Sequence, residues 1–369
     1  MNFFQFVFFL SLLACTSSSR KPAQEITANV ENTERKSPEE VLSMDQCWPL
    51  FQNRTSMKLL NPQSESLSSQ FSQFNPEIVC FPYSIQKNFQ WTLSESTNLT
   101  SKGPGLLYLL ANAQYLYSPG QFKKLVHSLN RKEGDGTHSK LFSKAFWVDN
   151  IDRDTSISIL EANDHFIVIF QGTTSGLDWA FNMNVIPQYP NKGDWGTYFH
   201  QGFYKNYASI HLQLKEVLDA QPRKKVVLIG HSLGGALAQI FLARSLGEPG
   251  FFNSSRVHSI VTWASPRAFS TKTSVFVQRR LRVKGISQLR FSKPEDLIPH
   301  LPPLALGYKA LGQSLWRDPA SHEWLRLDEK DEEGFLNRPK ELLEVSKNHM
   351  GRAYFDIHAK ELFQIPSRD

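Results

Sequence analysis

Val226-Val227-Leu228-Ile229-Gly230-His231-Ser232-Leu233-Gly234-Gly235 is the stretch whose reading decides the fold. Its first four residues are a β-branched and apolar run, the composition of a strand buried on both faces. A Gly-x-Ser-x-Gly pentapeptide follows. Ala236-Leu237-Ala238-Gln239-Ile240-Phe241-Leu242-Ala243-Arg244 then supplies good helix formers. Strand, sharp turn and helix together are the setting of a nucleophile elbow, which holds a serine in strained geometry and lifts its oxygen above the sheet. Glycines at 230 and 234 leave room where a Cβ would collide with the neighbouring strand and helix. Ser232 is therefore the candidate nucleophile, with His231 inside the turn. At ordinary Gly and Ser usage the pentapeptide arises by chance in about one chain in ten of this length. The flanking elements carry the reading; without them the stretch is a glycine-rich turn that packs a helix on a strand.

Working outward, strand-like runs lie at 141–148, 156–160 and 166–170, the last almost wholly apolar (Phe166-Ile167-Val168-Ile169-Phe170). Helical patterns cover 106–117, 121–130 and 203–220, and after the elbow 273–284. A buried strand is expected over 257–263 and an alternating one over 286–291. Strands alternating with helices predict an α/β fold with a mostly parallel central sheet flanked by helices on both faces. Ligands bind such sheets beyond the carboxyl ends of the strands, where Ser232, Thr173 and Asp296 would all lie. Residues 59–74 suit a short helix and 85–93 a strand.

The chain has 369 residues and a formal net charge of +6, enough for one large α/β domain with extensions. The positive balance favours acidic surfaces, anionic lipid included, but no clustered basic motif argues for nucleic acid. Residues 1–14 are an apolar run too short to span a bilayer comfortably, and match the core of an export signal although no Lys or Arg precedes it. Leu12-Leu13-Ala14-Cys15 resembles a bacterial lipobox, which makes Cys15 a candidate lipidation site and the membrane a candidate partner through that anchor; the alternative is cleavage among residues 16–19 and free secretion. Cys47 and Cys80 then remain as an even pair, and an exported chain favours a disulfide between them. The expected division is 1–15 export signal, 16–40 disordered tether, 41–102 N-terminal extension and 103–369 the α/β domain. Asn-x-Ser/Thr sequences begin at Asn53, Asn98 and Asn253; under the lipobox reading they are chance matches. Nothing in the sequence indicates the oligomeric state.

A lone serine is a poor nucleophile at neutral pH. It needs a base, and the base needs an orienting carboxylate, in the chain order Ser, Asp or Glu, His. Asp296, in a proline-rich loop after the strand ending at Phe291, is the candidate acid, with Glu295 its nearest competitor. His300, His322, His349 and His358 follow far enough along the chain. Local pattern disfavours His300, only four residues past Asp296, and does not separate His322 from His349. Two donors are expected for a developing oxyanion: the Leu233 N–H, which the elbow supplies, and Thr173, in a turn after a central strand. Neither a metal nor a cofactor is required.

Six ordered motifs resemble the class 3 (fungal-type) lipases of the α/β-hydrolase superfamily. They are Phe170-Gln171-Gly172-Thr173 with Asp178-Trp179, His200-Gln201-Gly202-Phe203, the elbow itself, Ser265-Pro266-Arg267, the acid loop from Asp296 to Leu301-Pro302-Pro303, and the histidine segments around 322 and 349. The resemblance covers roughly residues 103–362. It implies that His322 is structural and that His349 is the base. It further implies that the aromatic and aliphatic stretch Ser175–Pro187 forms a lid, and that the substrate is a lipid ester at a membrane or lipid interface. The chain departs from the family at Gln171, where an Arg is usual, at Ala264, where a Gly is usual, and at Leu297-Ile298, where Pro-Val is typical. The expected activity is ester hydrolysis through an acyl-enzyme. Phospholipase or acyltransferase chemistry, or a surface lipoprotein using the fold as a binding module, are the alternatives.

Overall fold

A computed structural model describes residues 24–26, 92–116, 141–150, 153–172, 186–189, 198–318 and 323–327, together with 349, 354, 357 and 358. The strands in chain order are β1 (Gln24–Ile26), β2 (Lys144–Asn150), β3 (Thr155–Glu161), β4 (His165–Phe170), β5 (Pro187–Gln188), β6 (Phe199–His200), β7 (Lys225–His231), β8 (Val257–Trp263), β9 (Phe269–Ser270), β10 (Ser287–Phe291), β11 (Tyr308–Lys309), β12 (Ser314–Arg317) and β13 (Trp324–Leu327). The helices are α1 (Gly103–Leu116), α2 (Gln201–Ala208), α3 (His211–Asp219), α4 (Leu233–Gly247) and α5 (Thr271–Lys284).

Among the described residues the main sheet runs β1-β2-β3-β4-β7-β8-β10-β12-β13. Its centre, β4-β7-β8-β10-β12, is parallel throughout. Antiparallel strands extend both sides: β1, β2 and β3 on one, β13 on the other. The sheet is thus an α/β-hydrolase sheet with a parallel core and antiparallel margins. β2, β3 and β4 follow one another without room for a crossover helix, so they fold as a meander.

Alternating side chains of the buried strands divide the core in two. Phe166, Val168 and Phe170 of β4 and Val226 and Leu228 of β7 join α2, α3, α4 and α5 on one face. Ile167, Ile169, Val227 and Ile229 join α1, Trp263, Phe291, Tyr354 and Ile357 on the other. The apolar runs contain no polar position because neither face meets water. α4 is buried along nearly its whole length, and each fully buried Leu or Phe in such a helix contributes about 1.5–3 kcal/mol.

Four expectations change. The helix expected over 203–220 is two helices, because the Ser209 hydroxyl donates back to the Asn206 carbonyl at 2.7 Å and Ile210, fully buried, adopts φ −128°; such local bonding competes with helix continuation. Within the stretch expected as a tether, Gln24–Ile26 pair with Ala145–Trp147 and add an edge strand. A second sheet, β11-β9-β6-β5, was not foreseen; its two-residue strands are shorter than any periodicity can register. Of the strand expected over 85–93, Leu93 instead opens a 3-10 helix, Leu93–Thr97, and 85–91 lie outside the described residues, as do the helices expected over 121–130 and 59–74 and Cys15, Cys47 and Cys80.

Candidate active site

The elbow is built by close backbone approach. A Cβ on Gly230 would lie 2.3 Å from the carbonyl carbon of Gly234, and one on Gly234 would lie 2.0 Å from the carbonyl oxygen of Phe170. Only glycine permits the start of α4 to sit directly against β7 and β4. Ser232 adopts φ 56° and ψ −131°, a strained region for a side-chain-bearing residue. The turn is fixed by the Ser232 N–H donating to the Trp263 carbonyl at 2.9 Å. Leu233 opens α4, so its N–H has no acceptor within the helix.

Three side chains from distant segments meet there. His349 Nε2 lies 2.7 Å from Ser232 Oγ, and His349 Nδ1 lies 2.9 Å from Asp296 Oδ2 and 3.1 Å from Oδ1. All three are buried; Ser232 is 3% exposed. A Nδ1–H directed at the carboxylate leaves Nε2 as an acceptor for the serine proton. Asp296 also accepts from the Tyr354 hydroxyl at 2.7 Å and from the Ile298 N–H at 3.0 Å. Burial, and then the neighbouring Asp296 charge, push the Tyr354 phenol well above its ordinary value. It therefore stays a neutral donor.

His231 is not part of this relay but supports it. Its Nε2 donates to the His349 carbonyl at 2.9 Å, and the two rings lie 4.9 Å apart. Burial, reinforced by His349, holds His231 well below the usual histidine range, so it is neutral. His358 accepts from Trp263 Nε1 at 2.9 Å, and burial lowers it to about 3. His300 gives its carbonyl to Arg267. Thus of the four histidines, His349 alone stands against Ser232 among those described; His322 lies outside them, as does Thr173.

The motifs around the triad acquire physical roles. Arg267, fully buried, donates from Nη1 to the carbonyls of His300 (2.7 Å) and Pro302 (3.1 Å), while its N–H donates to Leu301. Arg290 Nη2 donates to the Pro299 carbonyl at 3.2 Å. Two arginines therefore clamp the loop that carries Asp296. Gln171 is anchored by the Ser156 hydroxyl, which donates to its Oε1, and its N–H donates to the Ser156 carbonyl at 3.0 Å. Hydrogen bonding from β3 thus braces this position without the usual Arg charge. Ala264 holds φ 52° at the position where glycine is usual. Neither Tyr354, noted only as a tyrosine following His349, nor Arg290 was given a role from sequence. For Tyr354 the available signal was an aromatic hydroxyl five residues past His349; Arg290 gave none, being one polar position of an alternating strand.

The sheet is that of the α/β-hydrolase fold, and on it an elbow serine, a histidine and a buried aspartate stand in hydrogen-bonded sequence. Residues 167–306 match the family described as Lipase (class 3). It is 30% identical over 169 residues to a lipase of Rhizomucor miehei, covering 44% of this chain and 45% of that one. It is 26% identical over 164 residues to a secreted mono- and diacylglycerol lipase A of Penicillium cyclopium, covering 43% and 50%. The chain thus spans about half the length of these curated relatives. Among solved structures, the Rhizomucor miehei triacylglyceride lipase is similar at 24% identity and a TM-score of 0.47, covering 60% of this chain and 82% of that one.

Proposed function

We propose that this chain is an exported serine hydrolase that cleaves carboxylic esters of lipids through an acyl-enzyme. The observation that carries the reading is the unbroken hydrogen-bonded sequence Ser232–His349–Asp296 on a strained elbow. Ser232 Oγ attacks the ester carbonyl as His349 Nε2 takes its proton; the carbonyl pair moves onto oxygen. Asp296 orients the ring and stabilises the imidazolium. The Leu233 N–H and Thr173 receive the oxyanion, each such donor supplying about 2.7–4 kcal/mol in the transition state. Collapse breaks the bond to the alcohol, which leaves with the proton from His349. Water then attacks the acyl group, His349 takes its proton, and the fatty acid departs as Ser232 Oγ recovers it.

Ser232 is 3% exposed. The reading of Ser175–Pro187 as a lid over it, a stretch lying mostly outside the described residues, belongs to the same proposal. The division at 15, 40 and 102, lipidation of Cys15 and a Cys47–Cys80 disulfide belong to the same proposal. Export is supported by relatives described as secreted, and among the described residues no helix is long and apolar enough to cross a membrane. The test is hydrolysis of p-nitrophenyl esters of short to long acyl chains by the chain and its Ser232→Ala variant. Activity that disappears in the variant, with an optimum at long chains, supports the lipid-ester reading. Equal rates in both folded proteins overturn it.

A further inference from the structure

We propose that the outward face of α5 is a docking surface for an anionic lipid bilayer. The helix reads Thr-Lys-Thr-Ser-Val-Phe-Val-Gln-Arg-Arg-Leu-Arg-Val-Lys over 271–284. Five of its side chains are cationic and none is acidic. Ser270 caps its start, accepting from the Thr273 N–H at 3.1 Å, and Gly285 ends it at φ 63°. Thr273, Ser274, Val277 and Leu281 turn inward. The spacing i, i+3, i+7, i+10, i+11 gathers Lys272, Val275, Arg279, Arg282 and Val283 on the opposite face. All five are exposed, Val275 at 53% and Val283 at 74%.

Cations near a helix C-terminus also complement its dipole, which accounts for Arg282 and Lys284 but not for Lys272 in the first turn or Arg279 in the middle. Among the described residues, the elements most closely packed against α5 are α4, β9, β10 and β11, and none of these contains an Asp or Glu. The positive field of this face is therefore unopposed by its immediate supports. A free polyanion would be recognised by the cations alone. The two valines, set among the cations and held out in water, add the apolar contact that an interfacial helix makes below the headgroups. Cations at an anionic leaflet each strengthen association about fivefold.

The surface is separate from the proposed catalytic centre. Ser232 follows the carboxyl end of β7, whereas α5 leads into the amino end of β10, parallel to β7 through β8. Arg279, Arg282 and Val283 thus lie toward the far end of the sheet. Docking through them holds the domain by its flank, and the inference stands whether or not the site hydrolyses lipid.

The test is flotation of the full chain, in the Ser232→Ala background so that vesicles are not consumed. Vesicles of phosphatidylcholine are compared with vesicles containing phosphatidylglycerol at about a third of the lipid. The ratio of the two affinities is the readout, since apolar insertion by the N-terminus contributes to both. The expected ratio is at least tenfold at low salt and shrinks as salt rises. It should fall close to one in Lys272→Gln/Arg279→Gln/Arg282→Gln, and both affinities should drop in Val275→Ser/Val283→Ser. The same changes in a chain with Ser232 intact should leave turnover of a soluble short ester and the unfolding temperature within a few degrees of the parent. An undiminished ratio in the cation variant overturns the proposal. So does loss of binding to duplex DNA or heparin in that variant without loss on vesicles, which would mark a polyanion site instead.

Discussion

The Tyr354 hydroxyl sits between Asp296 and the acid loop's own backbone: it donates to Asp296 Oδ2 at 2.7 Å and accepts from the Lys293 N–H at 3.0 Å. One side chain therefore fixes both the carboxylate and the start of the loop that bears it. In Tyr354→Phe the carboxylate loses a charge-assisted donor and the Lys293 N–H loses its acceptor. Hydrogen bonds to charged groups are worth about 1.5–3 kcal/mol. Turnover of a soluble ester should fall about tenfold or more, with KM little changed, because the acid's alignment matters most when the imidazolium forms. A change confined to KM would contradict this role.

His231 tests the support of the base. Its Nε2–H is the donor for the His349 carbonyl, and burial keeps it neutral. His231→Phe leaves that buried carbonyl without the bond, a loss of about 1–3 kcal/mol. The expected outcome is a lower unfolding free energy in urea and a several-fold fall in kcat. His231→Gln, which retains an N–H donor, should recover part of both.

Ala264 offers a prediction in the opposite direction. At φ 52° its Cβ strains the backbone by about 1–2 kcal/mol, while glycine adds back about 0.5–1 kcal/mol of unfolded-chain entropy. Ala264→Gly should leave activity intact and raise stability by up to about 1.5 kcal/mol, measured by urea unfolding. A clear loss of stability would mean that the methyl group's packing outweighs the strain.

Stability should fall in acid for a definable reason. His200 and His358 are held at about 3 by burial, from an ordinary value of 6.5. Both are neutral in the fold but take up protons when unfolded below 6.5. Their contribution is fully present above pH 6.5 and is lost as pH falls toward 3, by about 1.4 kcal/mol per pH unit for each. His200→Asn keeps a capping side chain at the start of α2 and removes one titration. Its stability profile between pH 6 and 4 should be shallower by one proton's worth. An unchanged slope would exclude His200 as a source.

The elements readable from sequence were those whose signal is local. Val226–Leu228 and Phe166–Phe170 are apolar at every position because both faces are covered, and Gly230 marks the close contact between the consecutive elements β7 and α4. Asp296 was reachable because it follows a strand end in a stiff loop. His349 was not separable from His322 by pattern, since it meets Ser232 across 117 residues and Asp296 across 53; a resemblance in motif order singled it out. Arg290, Tyr354 and the short strands of the second sheet act only through tertiary contact, and no period or turn rule registers them.

The most direct test of the central claim is labelling of the folded chain by a fluorophosphonate, with the adduct located by peptide mass spectrometry. The account predicts a single adduct at Ser232 Oγ, slowed by orders of magnitude in His349→Ala. An unlabelled folded chain, or a Ser232 labelled equally fast without His349, would contradict it.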